Sequence, residues 1–216
     1  MVRAGFELAG KLSKGELGLE ADADIDVLNM NTESVTKHTH TAGIMKFKPF
    51  YRIHGEDWLV NVGANMFVDL DEHAELPFTG SADVYGHWGL VPDIFYLYGG
   101  IGGDYKPNYY YEILRENPYI TPDLEVSPTY TPFDVNLGLK IRIMEGLLFN
   151  VGFDYNLILD QYYYINHVVD ANKYTNTFDV VTESTTHNVN VEAGLYFDYV
   201  KGLNLGLTAG YSYWGV

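Results

Sequence analysis

The sequence has no cysteine among its 216 residues, and it has few cationic residues. Without cysteine, a disulfide framework and any thiolate-based zinc or iron–sulfur site are excluded, while the cellular compartment stays open. Only 13 Lys and Arg stand against 29 Asp and Glu, which gives a net charge of −16. Neutralising nucleic-acid phosphates requires clustered Lys and Arg, so nucleic acid is not an expected partner.

Long apolar runs are also missing. The first residues, Met1 to Glu7, show no basic segment followed by an apolar one, so we expect no signal peptide in this chain. No stretch of about 18 apolar residues occurs, which argues against a transmembrane helix. A membrane-crossing strand needs only about 9 to 11 residues with one apolar face, so a membrane location stays possible.

What the sequence does contain is a large aromatic content and a strict alternation. It has 19 Tyr, 11 Phe and 3 Trp, and 47% of its residues are hydrophobic, which favours a folded chain despite the charge. Apolar residues recur with period two, as in Leu203, Leu205 and Leu207, while the intervening residues are polar or small. This period predicts β-strands with two different faces. The predicted strands are 2–10, 16–29, 43–54, 58–69, 82–90, 94–104, 134–144, 147–160, 187–200 and 203–215.

The lengths of these strands and of their connections predict the fold class. Most strands have about 11 to 14 residues, which is longer than the usual strand of a soluble sheet and suits a tilted crossing of a bilayer. Short turns alternate with long polar segments at 30–42, 70–81, 105–133 and 161–186. The fold class is therefore all-β, an antiparallel transmembrane β-barrel with about ten strands visible. The alternative is a soluble barrel or sandwich whose apolar faces point inward, because alternation alone does not say which face is inside.

Tyrosines cluster where the long strands meet the long loops. At this level aromatic side chains form interfacial girdles, half in hydrocarbon and half in water. Tyrosine-rich loops can equally form surfaces that stack on ligands. The candidate girdle or loop-contact residues are Tyr109, Tyr110, Tyr111, Tyr119, Tyr162, Tyr163 and Tyr164.

Strand direction predicts that the barrel is larger than this chain. The first strand runs towards a short turn and the last runs away from one, so both ends of the chain lie on the long-loop side. A complete bacterial barrel is expected to keep its termini on the short-turn side. We therefore expect residues 1–216 to be a single barrel region, without a plug domain, within a barrel of 12 or more strands. Such a barrel is wide enough for a channel or a plug.

Charged residues share the polar faces of several predicted strands. If residue numbers in the second hairpin sum to about 72, Asp26 meets Lys46 and Glu20 meets Arg52. Opposite charges facing each other across strands stabilise a sheet by a few tenths to about 1 kcal/mol each, so a charge ladder on a lumen wall is favoured over a substrate site. Either interpretation requires that this charged face of the sheet is in contact with water. The predicted lumen-lining charges are Glu20, Asp22, Asp24, Asp26, Lys46, Lys48, Arg52, Lys140, Arg142 and Asp154.

Signals for catalysis are weak. The glycine-rich segment 98–104 has no helix after it to present to a phosphate, and glycine in a barrel strand usually marks a bend. His38 and His40 lack a third ligand nearby in sequence, which favours a solvated loop over a metal site. We therefore expect no enzyme, no catalytic residue, no cofactor and no metal.

One segment resembles a known family. Asn117-Pro118-Tyr119-Ile120-Thr121-Pro122-Asp123, followed by the strand from Asp134 to Lys140, resembles a recurrent stretch of TonB-dependent receptor barrels. There, Asn-Pro-x-Leu-x-Pro-Glu leads into a strand reading roughly Tyr-Glu-Leu-Gly-Leu-Lys. The resemblance covers about 40 residues; Ile120 and Asp123 depart from it, and the connection to the strand is about ten residues longer. The tyrosine-rich, acidic composition is similar to that of outer-membrane proteins of the Bacteroidota.

The resemblance implies a Gram-negative outer-membrane protein that transports or takes up a solute through a polar lumen. On this hypothesis, segments 105–133 and 161–186 contact ligand outside the cell. The alternative is a structural or surface-interaction barrel that holds a partner through its long loops. Outer-membrane lipid is the expected partner, with a surface lipoprotein or other subunits of an outer-membrane complex as further candidates.

Overall fold

The computed structural model contains ten strands and one helix. It describes residues 2–30, 38–70, 77–121, 124, 126–170, 173–200 and 202–216. The elements are β1 (Val2–Leu12), β2 (Gly15–Met30), β3 (His38–His54), β4 (Trp58–Asp69), β5 (Phe78–Val91), β6 (Phe95–Lys106), α1 (Tyr110–Glu116), β7 (Thr129–Met144), β8 (Leu147–Asp170), β9 (Lys173–Val200) and β10 (Leu203–Gly215).

The strands form a single antiparallel meander. Each strand pairs with its neighbour in sequence, so that the order in the sheet is β1 to β10 without a crossover. Within the described residues, nothing pairs with the outer edge of β1 or of β10, and almost every residue of these two strands is exposed. The sheet therefore stays open, with two unsatisfied backbone edges of the kind that closure of a barrel removes.

The prediction of about ten long antiparallel strands is confirmed, but the predicted long segments are wrong in extent. β3 begins at His38 and β5 at Phe78, so segments 30–42 and 70–81 are shorter than predicted, and the other two differ more. Segment 161–186 is mostly strand, because β8 and β9 continue to Asp170 and from Lys173 as one hairpin of 24 and 28 residues. Tyr, Val and Thr dominate this segment, and their high strand propensity agrees with the extension. Segment 105–133 is also shorter, since β6 ends at Lys106 and β7 begins at Thr129, with α1 between them.

The two faces of the sheet differ as the alternation predicts. In β4, Val62 is 51% exposed on one face, whereas its neighbour Asn61 is 8% exposed on the other. Large apolar side chains, such as Leu17, Trp88 and Leu137, remain exposed on the same face as Val62. A soluble barrel with apolar faces inward would bury these groups, so their exposure is the arrangement that lipid would cover.

Most of the few buried apolar side chains form two small clusters on the polar side of the sheet. Ile44, Phe67 and Tyr105 make one cluster, against which Tyr130 packs. Ile113, Ile120 and Tyr162 make the second. The second cluster joins α1 and the segment after it to the β8–β9 hairpin. Among the described residues, no helix is long and apolar enough to cross a membrane.

Candidate functional site

The β2–β3 charge ladder exists, but its register differs from the predicted one. The backbone pairs Glu20 with Lys48 and Glu16 with Arg52, so residue numbers sum to 68 instead of 72. Because β2 and β3 extend further than predicted, the centre of their connection moves from about residue 36 to residue 34. A shift of four residues keeps every side chain on its face, since the side-chain period is two.

The ladder contacts in the structure follow this register. Lys48 Nζ lies 4.0 Å from Glu20 Oε2, and Arg52 Nη1 lies 3.6 Å from Glu16 Oε2. The predicted pairs of Asp26 with Lys46 and of Glu20 with Arg52 are wrong in register, because Asp26 is opposite Ala42 and Glu20 is opposite Lys48 in the backbone. The side chain of Asp26 lies outside the described residues.

Three cations of this wall have carboxylate partners that the pairing of β2 with β3 does not supply. Arg3 Nε donates to Asp24 Oδ2 at 2.7 Å, and Lys46 Nζ donates to Asp104 Oδ1 at 2.7 Å. Lys48 Nζ lies 3.2 Å from Asp83 Oδ2. Sequence reasoning missed Arg3, Asp83 and Asp104 as wall charges. Asp83 alternates with the apolar Ala82 and Val84, so the sequence alone could have placed it on the polar face.

The β7–β9 part of the wall is different, because its carboxylates lack cations. Asp134, Asp154 and Glu192 form none of the ion pairs found among the described residues. Lys140 lies with its Nζ 5.3 Å from the centre of the Tyr98 ring. The ion-pair partner of Arg142 among the described residues is Asp93, at 4.0 Å and at the short-turn edge.

Amide side chains fill the space between these carboxylates. Asn156 Nδ2 donates to Asn188 Oδ1 at 3.3 Å, and Asn190 Nδ2 donates to the same oxygen at 2.6 Å. Asn188 in turn donates to the Tyr213 carbonyl at 3.3 Å. The wall therefore runs from a charge-paired half on β1–β6 to an acidic, amide-rich half on β7–β10.

A segment of the β6–β7 connection lies over the polar face. We call residues 107–121 the strap; it contains α1. At one side it touches the β1–β2 wall, where Arg3 Nη2 donates to Glu112 Oε1 at 3.3 Å and the Tyr109 hydroxyl donates to the Asp24 carbonyl at 3.3 Å. Arg3 is mostly exposed, and water screens exposed ion pairs strongly. The ion pair with Glu112 is therefore weak, and the buried Tyr109 is the main apolar contact on this side.

The other side of the strap is attached to the β8–β9 hairpin by a buried apolar contact. Ile113 and Ile120 are almost completely buried against Tyr162. Full burial of an isoleucine side chain stabilises by about 1.5 to 3 kcal/mol. The attachment to β8–β9 is therefore the stronger one, since it buries two isoleucines and Tyr162, whereas the β1–β2 side buries Tyr109.

Hydrogen bonds add to the β8–β9 attachment. The Phe178 amide donates to the Tyr119 carbonyl at 2.8 Å, and the Thr121 amide donates to the Phe178 carbonyl at 2.9 Å. The Tyr162 hydroxyl donates to Glu116 Oε2 at 2.8 Å. Burial and this bond to Glu116 both raise the pKa of Tyr162 above its ordinary value. Tyr162 therefore stays a protonated donor.

A short polar chain secures the end of the strap. The Thr121 hydroxyl donates to Asp179 Oδ1 at 2.6 Å, and His167 Nδ1 lies 2.5 Å from Asp179 Oδ2. The bond from Thr121, and secondarily that from His167, lowers the pKa of Asp179 below 3.8. Asp179 pairs with Ile165, far beyond the 9 to 11 residues that cross a bilayer from Leu147.

The strap crosses the inside of a strongly curved sheet. From β2 to β8 there are six inter-strand steps, which amount to about 29 Å along the sheet. The seven-residue helix that helps bridge these strands is only about 10 Å long. Because the strap touches inward side chains of both, it lies across the concave polar face. A cleft of about 420 Å³ separates it from the wall, and Arg3, Asp22, Asp24, Lys46, Asp104 and Glu112 are among its lining residues.

The structure distributes the predicted girdle tyrosines over the strap and the hairpin. Tyr109 and Tyr162 are buried, while Tyr111 and Tyr119 are exposed. Tyr110 and Tyr164 pack against the strap cluster, and Tyr163 is half-buried in β8. Their role as girdle or ligand contacts stays a prediction. What the sequence did not predict is α1, whose local signals are Glu112 in its first turn, Arg115 in its last turn, and the Arg115–Tyr111 contact at i and i+4.

Metal ligands are not grouped in the part of the chain that the structure describes: no three His, Asp or Glu side chains lie together there. His38 and His40 belong to β3, so their predicted place in a loop is wrong; their side chains are outside the described part.

Comparison with known proteins identifies solved structures of similar architecture. No family model matches the sequence, and a search of curated proteins found no significant match. The structure resembles the siderophore receptor PirA from Pseudomonas aeruginosa with a TM-score of 0.70 and 14% identity, over 98% of this chain and 40% of that one. A variant of the ferric enterobactin receptor PfeA from the same organism gives 0.68 and 13%, over 97% and 35%. The copper transporter OprC gives 0.60 and 12%, over 98% and 37%.

At these identities the likeness shows the fold alone. It confirms an antiparallel barrel-type sheet of about ten strands, in agreement with the resemblance to TonB-dependent receptor barrels. The chain spans 40% of the length of PirA and less of the other two proteins.

Proposed function

We propose that this chain forms part of the wall of an outer-membrane β-barrel that takes up a solute along its polar face, in the manner of a TonB-dependent receptor. The observation that carries the proposal is the contrast between faces: an exposed apolar face and a concave face with ion pairs, amides and unpaired carboxylates. Such a sheet suits lipid on one side and water on the other. The neighbours, two receptors for siderophores and a copper transporter, support this coarse function.

The finer parts of the proposal concern the complete barrel, the membrane and the partners of this chain. Residues 1–216 act as one barrel region within a barrel of 12 or more strands, because β1 and β10 offer unpaired edges. Its place is the outer membrane of a Gram-negative bacterium, where lipid covers the apolar face. A surface lipoprotein or another subunit is a further proposed partner; the composition typical of Bacteroidota, and the expectation of no enzyme activity, stay predictions.

A second candidate is a barrel that holds a surface partner. The observation in its favour is that the strap and the outer part of the β8–β9 hairpin form a folded unit with its own apolar cluster. Flux measurements separate the two candidates. The full-length protein in liposomes should pass small neutral sugars, seen as swelling. No swelling, together with a partner that co-purifies and no uptake defect on deletion, would overturn the transport proposal.

Cysteine labelling tests which face of the sheet is in contact with lipid. Because the sequence has no native cysteine, any labelling comes from the introduced residue. Cysteine at Tyr85 or Asp22, on the polar face, should react quickly with a small polar maleimide in membranes. Cysteine at Val62 or Leu137, similarly exposed on the apolar face, should be shielded by lipid. The reverse pattern would mean that the apolar face points inward.

A further inference from the structure

We infer that the strap is the size-limiting constriction of the passage and that it opens by releasing its Glu112 side from the β1–β2 wall. This inference deepens the proposed function and rests on it, since it concerns the same polar face. The residues that carry it are Arg3, Tyr109, Asp24 and Glu112 on one side, and Ile113, Ile120 and Tyr162 on the other.

The first step is position. The strap spans between β2 and β8, which are six strands apart in the sheet, and its Glu112 and Ile113 contact side chains of the concave polar face, Arg3 and Tyr162. A solute that moves along this part of the face must pass the strap. The cleft beside the strap measures about 420 Å³, which is at the small end of the size of ligand pockets. A small polar solute fits in such a space, and a larger one does not.

The second step is the chemistry of the cleft. Its wall presents Asp22, Asp24 and Asp104, its cations are Arg3, Lys46 and Lys106, and the strap adds Glu112. Polar groups of both signs converge here beside apolar and aromatic side chains such as Ile44 and Tyr105. The cleft can therefore hold a polar solute through its charges and the carbon skeleton of that solute through these side chains.

The third step is the unequal strength of the two attachments. On the β8–β9 side, the strap has buried isoleucines and two backbone hydrogen bonds to Phe178. On the β1–β2 side, its contacts include an ion pair with a mostly exposed arginine and a hydroxyl-to-carbonyl bond, both at 3.3 Å, and Tyr109 is its buried side chain there. Motion will therefore break the second set first, with the β8–β9 side acting as the fixed end.

The fourth step is that Arg3 has an alternative partner. Its Nε already donates to Asp24 at 2.7 Å, so the guanidinium stays paired when Glu112 leaves. Release of the strap thus leaves no cation unpaired on the wall, and Glu112 moves into water. This makes the Glu112 side suited to repeated opening.

The experiment uses the full-length protein with cysteine in place of Asp22, in the cleft beneath the strap. Maleimides of increasing size report whether the strap blocks access. In the parent Asp22→Cys protein, the small reagent should react quickly and a bulky one slowly. Adding Glu112→Gln should speed the bulky reagent by up to about five-fold, since an exposed ion pair shifts populations by no more than that, and leave the small reagent unchanged.

Three controls make the result specific. Glu145→Gln, in a short turn away from the strap, removes the same charge and should change nothing. Cysteine at Tyr119, exposed on the strap itself, should react with both reagents in either background. A thiol-reactive cross-linker joining cysteines at Arg3 and Glu112 should fix the strap and lower the size limit of liposome swelling relative to the uncross-linked protein.

The outcomes separate this inference from the proposed function. If swelling occurs but Glu112→Gln and the cross-link change neither labelling nor the size limit, the strap is no constriction and the inference is overturned. If no solute passes in any form while the bulky maleimide is still excluded by the closed strap, the constriction is supported and the transport proposal fails.

Discussion

At the scale of single residues, the polar wall depends on glycines that give space to aromatic rings. Tyr98 of β6 lies over Gly138 of β7, where an added Cβ would collide with its ring. The same ring holds Lys140 at 5.3 Å. At Gly152, one strand further, an added Cβ would lie 3.9 Å from the Tyr98 hydroxyl, an ordinary contact. The two glycines thus provide a matched pair.

We therefore predict that Gly138→Ala destabilises the protein and that Gly152→Ala does not. The first variant must displace Tyr98 and break its contact with Lys140, and overpacking of this kind costs about 1 to 3 kcal/mol. Urea-induced unfolding of the full-length protein in lipid vesicles measures the difference. Equal midpoints for both variants would mean that the ring moves aside without cost.

At the scale of elements, the alternation predicted nearly all strands, because period two depends only on which residues lie next to each other. It did not predict how far strands continue beyond the membrane. Residues such as Thr182 and Glu183 of β9 are polar on both faces there, so the two-faced pattern ends although the hairpin does not. The strap was equally hidden, because Ile113 is buried by Tyr162, a residue of a distant strand.

The register between strands was the other feature that could not be predicted from the sequence at this scale. The pairing of Glu20 with Lys48 depends on where the β2–β3 connection is centred, and the polar segment around residue 34 carries no signal for its exact turn. The face of each charge was predictable, since a shift of four residues preserves it. Contacts between distant strands, such as Lys46 with Asp104, required the three-dimensional curvature of the sheet.

The end of the strap provides a prediction about pH. The hydrogen bond from Thr121 and the contact with His167 lower the pKa of Asp179 below 3.8. A carboxylate with a lowered pKa stabilises the docked state above its ordinary pKa, and that stabilisation is lost as the pH falls through the lowered value. The strap end should therefore stay docked at pH 5 to 7 and loosen below about pH 4.

Hydrogen exchange of the Thr121 amide measures this change, because that amide is bonded to Phe178 in the docked state. Protection, corrected for the intrinsic pH dependence, should fall between about pH 4 and pH 3. Asp179→Asn should weaken protection at neutral pH and remove most of its pH dependence. Asp198→Asn, an exposed aspartate near a short turn, should behave like the parent protein. Unchanged protection in Asp179→Asn would contradict the role of this carboxylate.

At the scale of the whole molecule, charge is distributed unevenly around the polar face. On the β1–β6 side, Arg3, Lys46 and Lys48 each meet a carboxylate within 3.2 Å. On the β7–β9 side, Asp134, Asp154 and Glu192 meet none of the described cations. Part of the net charge of −16 thus lies in an acidic strip along one half of the concave face. A wet passage lined in this way attracts cations and repels anions.

We predict that the full-length protein, if it conducts, prefers cations to anions. In a potassium chloride gradient across a planar bilayer, the zero-current potential should have the sign of cation selectivity. Asp154→Asn combined with Glu192→Gln should move it towards zero, whereas Glu145→Gln, in a short turn, should not. The selectivity should also shrink between 0.1 and 1 M salt, because the screening length falls from about 10 Å to about 3 Å. Anion selectivity, or a potential insensitive to the double variant, would mean that the acidic strip does not border the conducting path.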